Sequence, residues 1–252
     1  GPYLAKLVGI KSVVNVTQDI PIAHTTTKQT EDALRAAGVQ VAGSLYLPPT
    51  TSDMAPWAQK VIESGAEAVN PALSHQQVYA LLQALQQLGK PIPVIGNDNE
   101  LTLPDLKSLG SFVDGANIVM TLPPATSTHI RGVKMFVDDM AAQEKSGDKY
   151  AANVGSAAQH TWLGVRIVAK IASQAKGTVD RESFTAALQS AKDVDLFGIL
   201  PPWTPSSKAP AGAPEGMVNP FVYFTKVKNE QFVLVNEDPY NIATNTFVKI
   251  NP

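Results

Sequence analysis

The residues of this sequence that could do chemistry include four histidines, the adjacent acids Asp138-Asp139 and Glu237-Asp238, and one acidic corner that ends an apolar run. His24, His75, His129 and His160 show none of the i, i+4 spacing with which one helix offers two imidazoles to a metal. Asp138-Asp139 and Glu237-Asp238 are neighbours in sequence, and adjacent residues on a helix point in different directions. Acid–base work by two carboxylates needs convergence in space, so both pairs read as solvated acids. The chain has no cysteine, which removes thiolate nucleophiles, thiolate metal sites and disulfides together. No G-x-S-x-G, P-loop or G-x-G-x-x-G pattern occurs. These observations point away from an enzyme, and no cofactor and no metal is expected.

What remains is "VIGNDNELT", residues 94–102. A strand that stops on Gly-Asn-Asp-Asn in an open α/β sheet stops where ligands bind, beyond the carboxyl ends of the strands. Asp98, with Asn97 beside it, is therefore a candidate ligand contact; an Asx-turn or a helix cap before "ELTLPDL" is the alternative. The loop "NPALSH" follows the preceding strand and brings Leu73, Ser74 and His75 to the same expected crevice. Ser74 stands where it would cap the next helix, which is its simpler role, or leave the first helical amides to a polar ligand. After the first strand comes "QDIPIAH", where Ile22 and Ala23 offer an apolar wall suited to an aliphatic or aromatic ligand, ordinary packing being the alternative.

The elements that must position these residues follow an alternating grammar. Strand patterns at 12–18, 39–48, 66–73, 92–97 and 112–120 are separated by helical patterns at 27–38, 51–65 and 74–89 and by a helical turn near 103–110. Ser52 or Asp53 suits the N-cap of the second helix, and Gly38, Gly65 and Gly89 each end one. The alternation predicts an α/β fold, a parallel sheet flanked by helices with right-handed crossovers. Beyond "MTLPPAT" three helical patterns run in succession, 127–146, 154–176 and 180–192, the last capped by Asp180. In the middle one, Val154, Ala158, Trp162, Val165, Ala169 and Ala172 form a stripe that must cover something apolar. A long Pro/Gly-rich connection at 197–220 precedes a β-hairpin at 221–235 that turns around Lys228-Asn229-Glu230, and the tail has no firm signature.

Composition narrows the function classes. The 252 residues suffice for one large domain or two small lobes, and 20 basic against 22 acidic side chains leave a net charge of −2, with no electrostatic footprint for nucleic acid. The most apolar stretch, "WLGVRIVAKIA", is interrupted by Arg166 and Lys170 and falls short of the roughly 18 residues of a membrane span. The opening "GPYLAKLVGIKSV" has neither a methionine nor a signal-peptide pattern and reads as a mature, trimmed or engineered product, Gly1-Pro2 being a cleavage remnant or native. A cysteine-free composition is compatible with export.

The order "GIKSVVNVTQD", "ALRAAGVQVAGSLYLPPTTSDMAPWAQKVIESGAEAV", "LLQALQQLGKPIPVIGND", "VDGANIVMTLPP" and "TVDRESFTAALQSAKDVDLFGIL" resembles the leucine/isoleucine/valine-binding class of solute-binding proteins of ABC transporters, the type I periplasmic-binding fold. The resemblance implies two α/β lobes that close on a ligand by hinge motion. Residues 1–121 and 219–252 would form the second ligand-binding lobe, and 122–218 the hinge crossings, at "MTLPP" and "LPPWTPSS", with the helical part of an incomplete first lobe. Asp98 matches the acid that receives a ligand ammonium group in amino-acid-binding relatives. Relatives often place an aromatic ring near His75, and a Tyr-Gly pair where this chain has Ile22-Ala23.

Members of the class carry about a further domain, on the order of 100 residues, before the point where this sequence starts. Helices within 127–192 would then be covered by that first lobe, as a separate fragment, or by another chain. The implied function is an extracytoplasmic solute-binding component of an ABC uptake system, periplasmic or lipid-anchored at the cell surface. It would capture an amino acid or other small organic solute and dock to a membrane permease. The alternatives are a ligand-sensing domain of a receptor or regulator on the same fold, and an enzyme on a flavodoxin-like sheet.

Overall fold

The computed structural model of the chain describes residues 1–175, 177–211 and 218–250. Residue 176 of the expected 154–176 helix, residues 212–217 of the 197–220 connection and the last two residues of the tail lie outside the described residues. Two compact units emerge: residues 1–120 with 224–235, and residues 121–223 with 236–252.

The first unit alternates helix and strand as its sequence pattern predicts: α1 (Pro2–Leu7), β1 (Ser12–Gln18), α2 (Pro21–Ala36), β2 (Gln40–Leu47), α3 (Ala55–Glu63), β3 (Ala68–Ala72), α4 (His75–Gln87), β4 (Ile95–Asn97), α5 (Leu103–Leu109) and β5 (Asn117–Met120). β1 pairs in parallel with β2 and β3. A parallel bridge, Val69 to Val94, continues the pairing to β4, which pairs in parallel with β5. The order β2-β1-β3-β4-β5 follows. Val13, Val14 and Val16 are fully buried, as expected of a strand with helices on both faces. Ala5, Val13, Leu34, Val39, Ala68 and Ile95 form one core cluster, so the short α1 is anchored to the sheet through Ala5.

The sheet interior also carries amides. Asn15 Nδ2 donates to Ser44 Oγ at 3.1 Å, Asn70 Nδ2 donates to Asn15 Oδ1 at 2.9 Å, and Ser44 Oγ donates to Glu31 Oε1 at 2.7 Å. This chain of bonds crosses β3, β1 and β2 at paired positions and ends on α2.

Several boundaries differ from the expectation. α2 starts at Pro21, not at residue 27, so "QDIPIAH" is mostly helix. Proline at the first helical position needs no N–H partner, and two of the threonines that follow satisfy their hydroxyls within the helix, Thr26 Oγ1 donating to Ile22 O and Thr30 Oγ1 to Thr26 O. α3 starts at Ala55 with Met54 in the cap position, although Asp53 Oδ1 still accepts from Ala55 N at 3.0 Å. The expected strand at 112–120 shrinks to β5, because Gly110–Val113 is a 3₁₀ turn and Gly115 takes φ 92°.

The second unit contains α6 (Arg131–Lys145), α7 (Ser156–Ala172) and α8 (Arg181–Ser190), all three matching expected helices. Asp180 caps α8 as foreseen, accepting from Ser183 N at 2.9 Å. Asp139 on α6 accepts from Trp162 Nε1 at 2.7 Å and from Arg166, both on α7, while the Trp162 ring lies between Phe136 and Phe197. Gly132 permits the closest approach: a Cβ there would lie 2.6 Å from Ile199 Cγ1 and 2.8 Å from Phe197 Cβ, beside the bond from Gly132 N to Phe197 O. None of the six residues of the expected stripe is buried: Val154, Ala158, Trp162 and Ala172 are half-buried, and Val165 and Ala169 are exposed. Gln159, Leu163 and Ile171 are the buried residues, whereas Val165 is 64% exposed.

The hairpin appears as β6 (Phe221–Lys228) and β7 (Gln231–Leu234), with Asn229 and Glu230 both at positive φ, as a two-residue antiparallel turn requires. The tail was expected with the sheet as part of 219–252. Only 224–235 groups there; 219–223 and 236–252 group with the helical unit. The reason is pairing: Phe221 and Val222 face Asn241 and Tyr240 of β8 (Tyr240–Asn241), which pairs with β9 (Thr246–Phe247). Among the described residues no helix is long and apolar enough to cross a membrane.

Gly132→Ala is expected to destabilise the second unit by about 1–3 kcal/mol, because the added methyl must displace both the Ile199 side chain and Phe197 Cβ. Urea unfolding followed by tryptophan fluorescence measures it; an unchanged midpoint would show that the contact yields freely.

Candidate functional site

The strands of the first unit end level. Thr17 faces Ala72, Asn97 faces Val119, and the Val69–Val94 bridge lies three residues before the ends of both β3 and β4. The chain segments after β1, β3 and β4 therefore leave the sheet side by side at one edge, and every predicted ligand contact lies in them. Ile22 and Ala23 sit in the first turn of α2, Ile22 65% exposed and Ala23 buried. Leu73 is half-buried and Ser74 exposed in the turn before α4, whose first residue is the half-buried His75. Asn97 is exposed at the last position of β4, followed by the half-buried Asp98.

Hydrogen bonds decide how much of this chemistry is already committed. Ser74 caps α4, its Oγ accepting from Gln77 N at 3.4 Å within a capping box, so the simpler of its two roles is the one realised. Asn97 closes an Asx-turn, its Oδ1 accepting from Asn99 N at 3.0 Å. Asp98 keeps its backbone in the sheet, its N–H donating to Val119 O at 3.2 Å. His75 Nε2 lies 2.7 Å from Asp105 Oδ2.

Several residues that sequence reasoning passed over hold the rim together. Gln77, buried at the start of α4, accepts at Oε1 from Gln18 Nε2 (2.7 Å) and donates from Nε2 to Pro49 O (3.1 Å) and Thr51 O (3.2 Å). It ties the ends of β1, β2 and β3. Asp105 Oδ2 accepts from Thr102 N (2.7 Å), Thr102 Oγ1 (2.5 Å) and His75, joining the start of α5 to the start of α4. Burial pushes the Asp105 carboxyl up, but the bonds from Thr102 and His75 outweigh it and hold it below the usual carboxylate range. Both "SHQQ" and "TLPD" carry the spacing of a capping box, which was the available sequence signal. Glu100 had none. It is buried beneath the corner, where it accepts from Asn97 N at 3.0 Å and Asn97 Nδ2 at 2.7 Å. Near the opposite strand ends, Leu82, Pro91–Val94, Phe112–Asp114 and Ala116 line a small, largely apolar hollow away from these residues.

The rim thus offers two exposed or half-exposed apolar side chains, an acid and an imidazole on a scaffold of cross-tied loops. Among the described residues no group of three or more His, Asp or Glu side chains converges as a metal ligand set would.

The family model described as periplasmic binding protein matches residues 1–231. The chain belongs to the periplasmic binding protein family. Solved structures of this fold include a branched-chain amino acid ABC transporter protein from Thermus thermophilus with bound valine, 15% identical, TM-score 0.68, covering 96% of this chain and 65% of that one. A solute-binding protein from R. palustris in complex with 4-hydroxybenzoate is 19% identical, TM-score 0.67, with coverages of 96% and 63%. A fatty acid ABC transporter substrate-binding protein from Thermomonospora curvata is 18% identical, TM-score 0.71, with coverages of 99% and 66%. At these identities the likeness establishes the fold, a parallel sheet flanked by helices of the type I periplasmic-binding kind. This family member spans less than two thirds of the length of each of these three. No curated protein matches the chain.

Asp105→Asn is expected to cost about 1–2 kcal/mol at pH 7, the worth of a helix cap. The sign with pH follows from the lowered carboxyl: its stabilisation is present above the unfolded carboxylate range and is lost as pH falls through the folded value. Urea unfolding of variant and parent should therefore differ near neutrality and converge in strong acid. A gap that persists at low pH would mean that the charge of Asp105 is irrelevant.

Proposed function

We propose that this chain captures a small organic solute for an ABC-type uptake system, outside the cytoplasm, and binds without turning its ligand over. The observation that carries this reading is the family match over residues 1–231 combined with the level strand ends that present Ile22, Leu73, His75 and Asp98 at one edge. Capture works by closure of an opposing lobe over that rim, and the closed form docks to a membrane permease. A ligand that favours the closed state by about 5.5 kcal/mol moves the population from almost all open to almost all closed.

The solute is an amino acid or another small organic acid with an apolar body. Exposed Ile22 and half-buried Leu73 support the apolar part, and Asp98 supports a cationic group. The three solved structures named above have valine, 4-hydroxybenzoate or fatty acid in their descriptions; each of these compounds pairs a carboxylate with an apolar portion. Residues 1–120 with 224–235 serve as the second ligand-binding lobe. The exposed side of α7, with Val165 and Val168, is covered by the sheet of a first lobe or by another chain.

Isothermal calorimetry of the protein with its covering lobe, against amino acids, amides and aromatic or aliphatic acids, tests the reading. Saturable binding without chemical change of the solute supports it, and turnover of any of them would overturn it. For an amine-bearing solute, Asp98→Asn should weaken binding about 10- to 100-fold, the worth of one charge-assisted hydrogen bond. Unchanged affinity would remove Asp98 from the site.

A further inference from the structure

The bond between His75 and Asp105 ties two helix starts together, and it also fixes the chemistry of a half-exposed imidazole at the rim. His75 is the first residue of α4 and Asp105 the third of α5. Asp105 Oδ2 takes the Thr102 backbone N–H at 2.7 Å and the Thr102 hydroxyl at 2.5 Å. A backbone N–H can only donate, so this oxygen is an acceptor. With its carboxyl below the usual range, Asp105 is ionised at neutral pH. The imidazole nitrogen 2.7 Å from Oδ2 must then supply the hydrogen. His75 is therefore the Nε2–H tautomer, and in the neutral ring Nδ1 is a bare acceptor. Nδ1 has no protein partner among the described residues and is not one of the enclosed side-chain atoms. The side chain is 38% exposed against 10% for Asp105, so the ring is gripped at one nitrogen and open at the other.

Charge along the edge determines what the open nitrogen can take. The segments that leave the strands here, 18–24, 47–54, 72–77 and 97–105, contain Asp19, Asp53, Asp98, Glu100 and Asp105, with neither lysine nor arginine. An anion placed among them would meet acids with no permanent cation to offset them, whereas a hydrogen-bond donor meets acceptors.

We propose that Asp105 is a positioning residue that holds His75 as an Nδ1 acceptor, and that His75 selects solutes presenting an N–H donor, an ammonium or an amide, to this rim. The selection clause rests on the solute-capture reading; the tautomer does not. Among the described residues the charged group in contact with the imidazole is Asp105, from α5. A second proton on His75 turns Nδ1 into a donor and adds positive charge, so a site that accepts an N–H at neutral pH turns it away in acid. The sign is diagnostic, because a carboxylate at Nδ1 needs the imidazolium and binds more tightly in acid.

Two measurements on the ¹⁵N-labelled full chain test the two parts. The ring-nitrogen shifts of His75 should report the Nε2–H tautomer in the neutral imidazole, and Asp105→Ala should return a mixture of tautomers. Titration with n-butylammonium, butyramide and butyrate, which share an apolar body, tests the selection. The ammonium and the amide should move the Nδ1 resonance and butyrate should not. Binding of the ammonium should weaken severalfold as pH falls from about 8 to about 5, the range in which imidazoles titrate. His75→Gln, whose amide can still reach Asp105 but offers nothing at Nδ1, should weaken both donors about 10-fold and remove the pH dependence. A response to the ammonium alone, or to both donors, supports the proposal and tells a cationic donor from a neutral one. An Nδ1–H ring in the parent, a preference for butyrate, no response to either donor, or a pH dependence that survives in folded His75→Gln would overturn it. If His75→Gln does not fold, the tautomer and the pH profile of the parent decide alone. A failed solute screen alongside these shifts would sink the capture reading and leave His75 standing as an acceptor. A successful screen with an Nδ1–H ring would do the reverse.

Discussion

A single buried amide, Asn15 in the middle of β1, sets the alignment on which the rim depends. It is almost fully buried and bonded on both sides, to Ser44 of β2 and Asn70 of β3, at positions directly opposite in the two parallel pairings. Apolar β-branched neighbours such as Val13, Val14 and Val16 do not by themselves distinguish one register from the next in a strand buried on both faces. The amides do. Slipping β1 by one residue would leave Asn15 and Asn70 with unpaired polar atoms, each costing about 1–3 kcal/mol, a large fraction of a domain's net stability. Because that register is fixed, β1 and β3 end level, and the loops that follow them emerge together.

Alignment of strands places loops but does not hold them. At the rim that task passes to side chains from helix starts and from the turn after β4: Gln77 for the ends of β1, β2 and β3, Asp105 and His75 for the starts of α4 and α5, Glu100 for the end of β4. Two of these are buried carboxyls, and their environments push them in opposite directions. Asp105 concentrates three donors on one oxygen, including an imidazole, and stays below the usual range. Glu100 meets only the amide donors of Asn97 in a more secluded place, and burial wins. The same functional group is held below its usual range in one loop and pushed above it in the next, and the difference lies in burial and partners. Loops braced in this way lose less conformational freedom when a ligand arrives than loose ones do.

Much of this was legible in the sequence, and the parts that were not share a cause. The alternation of apolar runs and helical stripes from 12 to 120 yields the parallel sheet, because period and punctuation are local properties. The corner at "VIGND" falls at a strand end for the same reason. The start of α2 was missed because three successive threonines look unlike a helix; in the fold Thr26 bonds back to Ile22 O, and Thr30 further along to Thr26 O. The tail was misplaced because its pairing with Phe221 and Val222 involves two-residue strands too short to leave a pattern. Glu100 belongs to the same class of omission. A buried acid and an exposed one are spelled identically, and only tertiary placement tells them apart.

The two units differ in how completely they satisfy their own helices. In the first, α4 buries six of its thirteen residues, Gln77, Val78, Leu81, Leu82, Ala84 and Leu85. In the second, α7 is the more apolar helix and longer by four residues, yet it buries only Gln159, Leu163 and Ile171. Val165 and Val168 stay more than half exposed, and a Cβ on Gly164 would meet nothing within 4 Å. Scattered exposed apolar side chains are ordinary, but here they share one side of one helix at spacings of three and one, where each buried valine would be worth about 1.5–3 kcal/mol. A helix with that composition is stabilised by a surface laid against it. The solved structures of this fold extend beyond what this chain covers by more than a third of their length, enough chain to provide such a surface.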